Sequence, residues 1–176
     1  MSQEVSASAV PSQFGCRMPA EWEAHRATWI AWPHQRDDWP DKFDPIPWVY
    51  GEIVRHLHHS EEVRILVNDA EGQRQADAVL EKLALDRKRI GFWHIPTDRV
   101  WMRDYGPLFI TSAEGETAIV NFAFNAWAKY PNWQCDNEAT RQIIPPLRMK
   151  TWQPEINGRR VVLEGGSIEV LSLIHI

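Results

Sequence analysis

The sequence predicts an α/β or α+β chain in which a strand, helix, strand, strand unit recurs loosely. Two kinds of observation carry this expectation. Short β-branched and aromatic runs, TWIAW at Thr28 to Trp32 and VRILV at Val63 to Val67, have the composition of strands. Between and after them, apolar residues recur at helical spacing. With 176 residues, 44% hydrophobic and 24% charged, the chain has globular composition and enough length for the core of one domain.

In chain order, Met1 to Gly15 is rich in Ser, Ala and Gln without periodicity, which predicts a disordered leader over 1–15, with order beginning near Met18-Pro19. The first strand, Thr28 to Trp32, should end at Pro33, which has no N–H for a ladder. Asp44 before Pro45 reads as a helix cap with proline at the first position, and Ile46, Val49, Ile53 and Leu57 lie on one helical face. After the strand at Val63 to Val67 come Asn68-Asp69 and a second helix marked by Ala76, Val79, Leu80 and Leu83. A strand follows at Ile90 to Ile95. Pro107 to Thr111 and Thr117 to Phe122 then read as a hairpin around a glycine-containing loop. Arg160 to Leu163 and Ser167 to Val170 are expected as two short strands around Gly165-Gly166.

Charge and hydropathy exclude some classes of function. A net charge of −5 without a basic cluster argues against a nucleic-acid partner, since Arg87-Lys88-Arg89 reads as a solvated helix exit or strand entry. No window approaches the roughly 18 apolar residues of a membrane span, and residues 1 to 15 lack a signal-peptide pattern, so a cytoplasmic location is expected. Cys16 and Cys135 are then expected to be reduced. His56, His58 and His59 invite a metal reading, but only 56 and 59 share a helix face and no third ligand is near, so no metal is expected. The ten tryptophans exceed what packing requires, because a buried indole N–H needs a partner.

Three segments can carry chemistry. In VWMRDYGP, Val100 to Pro107, Asp104 supplies an anion and Trp101 a π face, the pair that a planar cation would take up through charge-assisted hydrogen bonds and cation–π attraction. Residue types alone favour a local reading, in which Asp104 caps the turn beside Arg103 and Trp101 fills the core. In LEGGS, Leu163 to Ser167, Glu164 leaves a strand and two glycines permit a close backbone approach, with a plain glycine turn as the alternative. The aromatic stretch NFAFNAW, Asn121 to Trp127, continues to Tyr130 and Trp133 and could line a pocket or pack an edge.

Together with MPAEW at Met18 to Trp22 and TWIAWP at Thr28 to Pro33, these segments resemble the agmatine deiminase and bacterial-type peptidylarginine deiminase family. They occur in the family's order over nearly the whole chain after the leader, and FNAWA leans toward the agmatine branch. Ala24 departs from a usual proline. The resemblance implies a pentein fold, a five-bladed α/β propeller of ββαβ units, of which about the first half is present. Residues 16–170 would then be the N-terminal part of a single deiminase domain. It also implies that Asp104 and Glu164 are catalytic residues gripping a guanidinium while Trp101 and Trp32 wall the pocket, and that the enzyme needs no cofactor.

Such chemistry needs both acids. A guanidinium is delocalised and protonated, so its carbon is a poor electrophile until carboxylates draw positive charge onto it as a thiolate approaches. In the family that thiolate attacks, ammonia departs, and water releases N-carbamoylputrescine from agmatine. The nucleophilic cysteine is expected beyond this chain. Neither Cys16 nor Cys135 has its context. Leu171 to Ile176, LSLIHI, reads as a non-native tail that matches a translated transposon end, which would leave His175 without function. The expected partner is a small guanidinium substrate, with a homo-oligomer left open. Peptidyl-arginine deimination, or a non-catalytic module binding sugars or choline-like cations, are the competing readings.

Overall fold

The computed structural model describes residues 10–170, so the expected tail at 171–176 lies outside them. Two compact units emerge among the described residues: one is Ala24–Met102, and the other combines 10–23 with 103–170.

The Ala24–Met102 unit is a three-stranded parallel sheet with two helices. Strand β1 (Ala27–Ala31) pairs with β2 (Glu62–Val67), which pairs with β3 (Ile90–His94). Helix α1 (Ile46–Leu57) connects the first two strands and α2 (Ala70–Lys82) the last two. Val63, Ile65 and Val67 alternate onto one face of β2 and meet Val54, Ala76 and Leu80 of the helices in a buried cluster. The boundaries follow local chemistry. Asp69 caps α2, its carboxylate accepting the Gly72 N–H at 2.8 Å. At the other end, the Leu85 N–H reaches the Leu80 carbonyl and the Ala84 N–H the Glu81 carbonyl, a Schellman closure that puts Ala84 at φ +53°.

Two expectations about α1 need correction. Asp44 does not cap it, because the carboxylate pairs with Arg36 at 2.9 Å and Pro45 stands at the cap position. The apolar row Ile46, Val49, Ile53 is also not the buried face, since Val49 and Ile53 are exposed. The helix is rotated so that Gly51 and Val54 turn inward. A Cβ on Gly51 would lie 2.7 Å from Leu83 Cδ1 and 2.9 Å from Val79 Cγ1, so the close approach of two helices selects the face.

In the second unit, β4 (Leu108–Thr111) and β5 (Thr117–Val120) form the expected antiparallel hairpin, and β6 (Thr151–Trp152) adds in parallel to β5. Ile110, Ala118, Val120 and Trp152 pack there, with Cys16, Met18, Leu108 and Phe122 at the margin. The short helix α3 (Met102–Tyr105) precedes this sheet, and α4 (Gln134–Leu147) connects β5 to β6. Strands β7 (Glu155–Ile156) and β8 (Arg159–Arg160) close a two-residue hairpin on Asn157 and Gly158, both at positive φ.

Order within the expected leader begins earlier than Met18. Pro11–Phe14 form a 3-10 turn, and the Phe14 ring lies 5.7 Å from that of Trp152. The strand expected at Ser167 to Val170 does not form. Gly165–Ser167 is a 3-10 turn, and the preceding segment contributes only a parallel bridge between Ala123 and Val162.

Candidate functional site

The acids singled out in sequence both belong to the second unit. Asp104 sits in α3, half-buried, two residues before Gly106-Pro107 ends the turn. Glu164 sits in extended conformation immediately before the turn Gly165–Ser167 and is also half-buried. The structure brings them together. The Gly166 N–H donates to the Asp104 carboxylate, and the charge of Glu164 acts on the same carboxyl group. Burial, the largest influence, raises the Asp104 pKa. Glu164 raises it further, while the Gly166 N–H and the Arg103 guanidinium draw it down.

Elements far apart in sequence hold this pair. The Arg103 guanidinium donates to the Ile168 carbonyl at 3.1 Å and pairs with Glu21, so three of the sequence motifs meet at one arginine. Arg17 and Glu23 form a two-bonded pair at 2.6 and 2.8 Å that holds the Glu23 carboxyl down at a pKa of about 2. Glu23 also accepts the Ala20 N–H at 2.7 Å, which fixes the MPAEW segment as a turn. From below, the Thr140 hydroxyl of α4 donates to the Tyr105 carbonyl at 2.7 Å. Thr140 is a supporting residue that sequence reading missed. Its signal was there: Ala139, Thr140, Ile143 and Ile144 recur at helical spacing and are all buried, but Pro145-Pro146 obscures the helix.

The tryptophans assigned to the pocket lie in the Ala24–Met102 unit. Trp101 is half-buried, with the Arg99 guanidinium 5.1 Å from its ring, and Arg99 pairs in turn with Asp38 in a nearly buried contact. Trp32 is 4% exposed and packs edge-on to Tyr50 at 6.3 Å, a core position.

The aromatic stretch after β5 is a turn in which Ala126, Trp127 and Ala128 all have φ between +49° and +57°, a left-handed run that costs non-glycine residues about 1–2 kcal/mol each. It is held by the Phe124 N–H, which donates to Asn137 Oδ1 at 2.9 Å. The rings of Tyr105, Phe124, Trp127 and Tyr130 follow one another at 5.7 to 6.3 Å, from beside Asp104 outward to a Trp127 that is 45% exposed.

Of the histidines, His58 turns Nδ1 onto the Val54 and Arg55 carbonyls and lies against the His59 ring. That accounts for it at a helix end. Among the described residues no three His, Cys, Asp or Glu gather as a metal would require, and no helix is long and apolar enough to cross a membrane.

The fold and the acid pair thus define an α/β protein in which a half-buried carboxyl group on α3 is met by the turn that follows a second half-buried acid. The family model for Porphyromonas-type peptidyl-arginine deiminase matches residues 17–171, and the chain belongs to that family. Over 168 residues it is 32% identical to the agmatine deiminase of Ectopseudomonas mendocina and 34% identical to that of Stutzerimonas stutzeri, in each case over 93% of this chain and 43% of the relative. Its structure is similar to that of the agmatine deiminase of Enterococcus faecalis, with TM-score 0.75 and 26% identity over 91% of this chain and 42% of the other. The chain therefore spans less than half the length of these relatives.

Proposed function

We propose that the chain supplies the guanidinium grip of an agmatine deiminase, an enzyme that hydrolyses agmatine to N-carbamoylputrescine and ammonia. One observation carries this reading: the turn that follows Glu164 donates its Gly166 N–H to the carboxylate of Asp104, 60 positions before Glu164 in sequence, and the charge of Glu164 reaches that carboxyl group, so a planar cation has two carboxylates to bridge. An unoccupied pair of this kind is costly, which is why it suits a site whose ligand brings the compensating charge. The named relatives support agmatine as substrate. The family's description makes peptidyl-arginine the competitor to include in the same assay.

Residues 16–170 are proposed as the N-terminal part of one deiminase domain, and the fold as about the first half of a five-bladed propeller. The 43% coverage of the relatives supports both. The substrate-binding roles of Trp101 and Trp32 are proposed on the family resemblance alone, and the packing of Trp32 against Tyr50 already explains its burial. The thiolate is not assigned to Cys16, at the margin of an apolar cluster, or to the exposed Cys135 on α4. A cytoplasmic location and the absence of a cofactor belong to the same proposal.

The test is ammonia release from agmatine by a chain carrying the remaining length of the family. Asp104→Asn should lower kcat/KM by about 10²-fold or more, because one of the two groups that develop charge complementarity is neutralised. Kinetics equal to those of the unsubstituted chain would refute the assignment.

A further inference from the structure

Gly165 and Gly166 are not glycines for the usual conformational reason. The positive-φ glycines among the described residues are Gly15, Gly115 and Gly158, so any residue could take up the backbone angles at 165 and 166. Space is what excludes a side chain. A Cβ on Gly165 would run into the Arg103 carbonyl oxygen, a backbone atom that cannot give way, and would lie 3.2 Å from Leu108 Cδ2. A Cβ on Gly166 would run into Asp104 Oδ1 itself. The close approach expected at this glycine pair is therefore an approach to the protein's own carboxylate.

We infer that Gly166 is a positioning residue for the acid pair: without a Cβ its N–H can reach the Asp104 carboxylate and set the direction in which that carboxylate faces. Gly165 brings the backbone onto the Arg103 carbonyl, and Arg103 returns a hydrogen bond to the Ile168 carbonyl at 3.1 Å, so the turn after Glu164 is stapled across α3 at successive points. Glu164 begins that same turn, and clamping the turn to Asp104 sets the separation of the two acids. The inference deepens the reading above and rests on it for its consequence in turnover, although the contact itself needs no substrate.

The experiment is an NMR titration of the 176-residue chain without ligand, following the Asp104 carboxyl carbon and the Gly166 amide. The charged groups acting on Asp104 are Glu164 and Arg103, and both are present throughout. In the unsubstituted chain the Gly166 amide proton should shift with the Asp104 midpoint, and in Asp104→Asn that shift should vanish. An amide that ignores Asp104 would overturn the inference, and this arm does not depend on any glycine variant folding. In Gly166→Ala the Asp104 midpoint should rise by about one pH unit as a donor to the charged form is lost. Gly115→Ala, where a Cβ meets nothing within 4 Å, should leave it in place. An unmoved midpoint in a folded Gly166→Ala would leave the glycine a packing role only. Because substrate is absent, these outcomes are independent of whether agmatine is turned over.

Discussion

Asp104 is stabilised less well than an exposed carboxylate, because burial and the neighbouring Glu164 both favour its protonated form over the pull of Gly166 and Arg103. A carboxyl group whose folded pKa is raised binds its proton more tightly in the native state. Its ionisation therefore costs stability above the folded pKa and nothing below the unfolded value near 3.9. Asp104→Asn, which keeps an acceptor for the Gly166 N–H, should then be more stable than the unsubstituted chain at pH 7. The two should converge below about pH 3.9 in urea unfolding. Glu23, held low by Arg17, loses its own contribution as pH falls toward about 2, but it does so equally in both chains. A variant less stable at pH 7 would show that the acid pair is not under charge repulsion. The type and position of both acids were legible in sequence. Their partner in Gly166 was not, because a hydrogen bond across 62 residues leaves no local signal.

The helices show where residue spacing determines structure and where packing overrules it. Helix α2 begins at a capping aspartate and buries Ala76 and Leu80, as the spacing predicts. Helix α1 has the predicted span but a different buried face, since its apolar residues permit two stripes and only the fit of Gly51 against Val79 and Leu83 chooses between them. Gly51→Ala should therefore destabilise the chain by about 1–3 kcal/mol, the overpacking exceeding the gain of about 1 kcal/mol in helix propensity. Ala84→Gly should act oppositely, adding about 0.5–1 kcal/mol by relieving a left-handed alanine at the Schellman position. Thermal unfolding of the two variants decides both. The hairpin at Asn157-Gly158 has a clear sequence signal in its Asn-Gly pair but forms in a stretch to which no element is assigned from sequence.

For the molecule as a whole, the interrupted second unit matters most. Among the described residues, 10–23 and 103–170 form one compact unit although they are separated in sequence by the contiguous unit Ala24–Met102. Leu80, fully buried in the latter, should cost about 2–5 kcal/mol on truncation to alanine. Hydrogen exchange should report that loss in the amides of β2, and unchanged protection there would mean the cluster around Val63 and Ile65 does not support the sheet. By itself the sequence determined the alternation of strands and helices and the family, because these depend on residue types and short spacings. The tertiary structure alone decided which helix face is buried, that Gly165-Gly166 forms a turn and not a strand junction, and that the turn closes on Asp104. Each of those outcomes depends on whether an atom fits against a surface supplied from a distant part of the chain, and no local pattern encodes that fit.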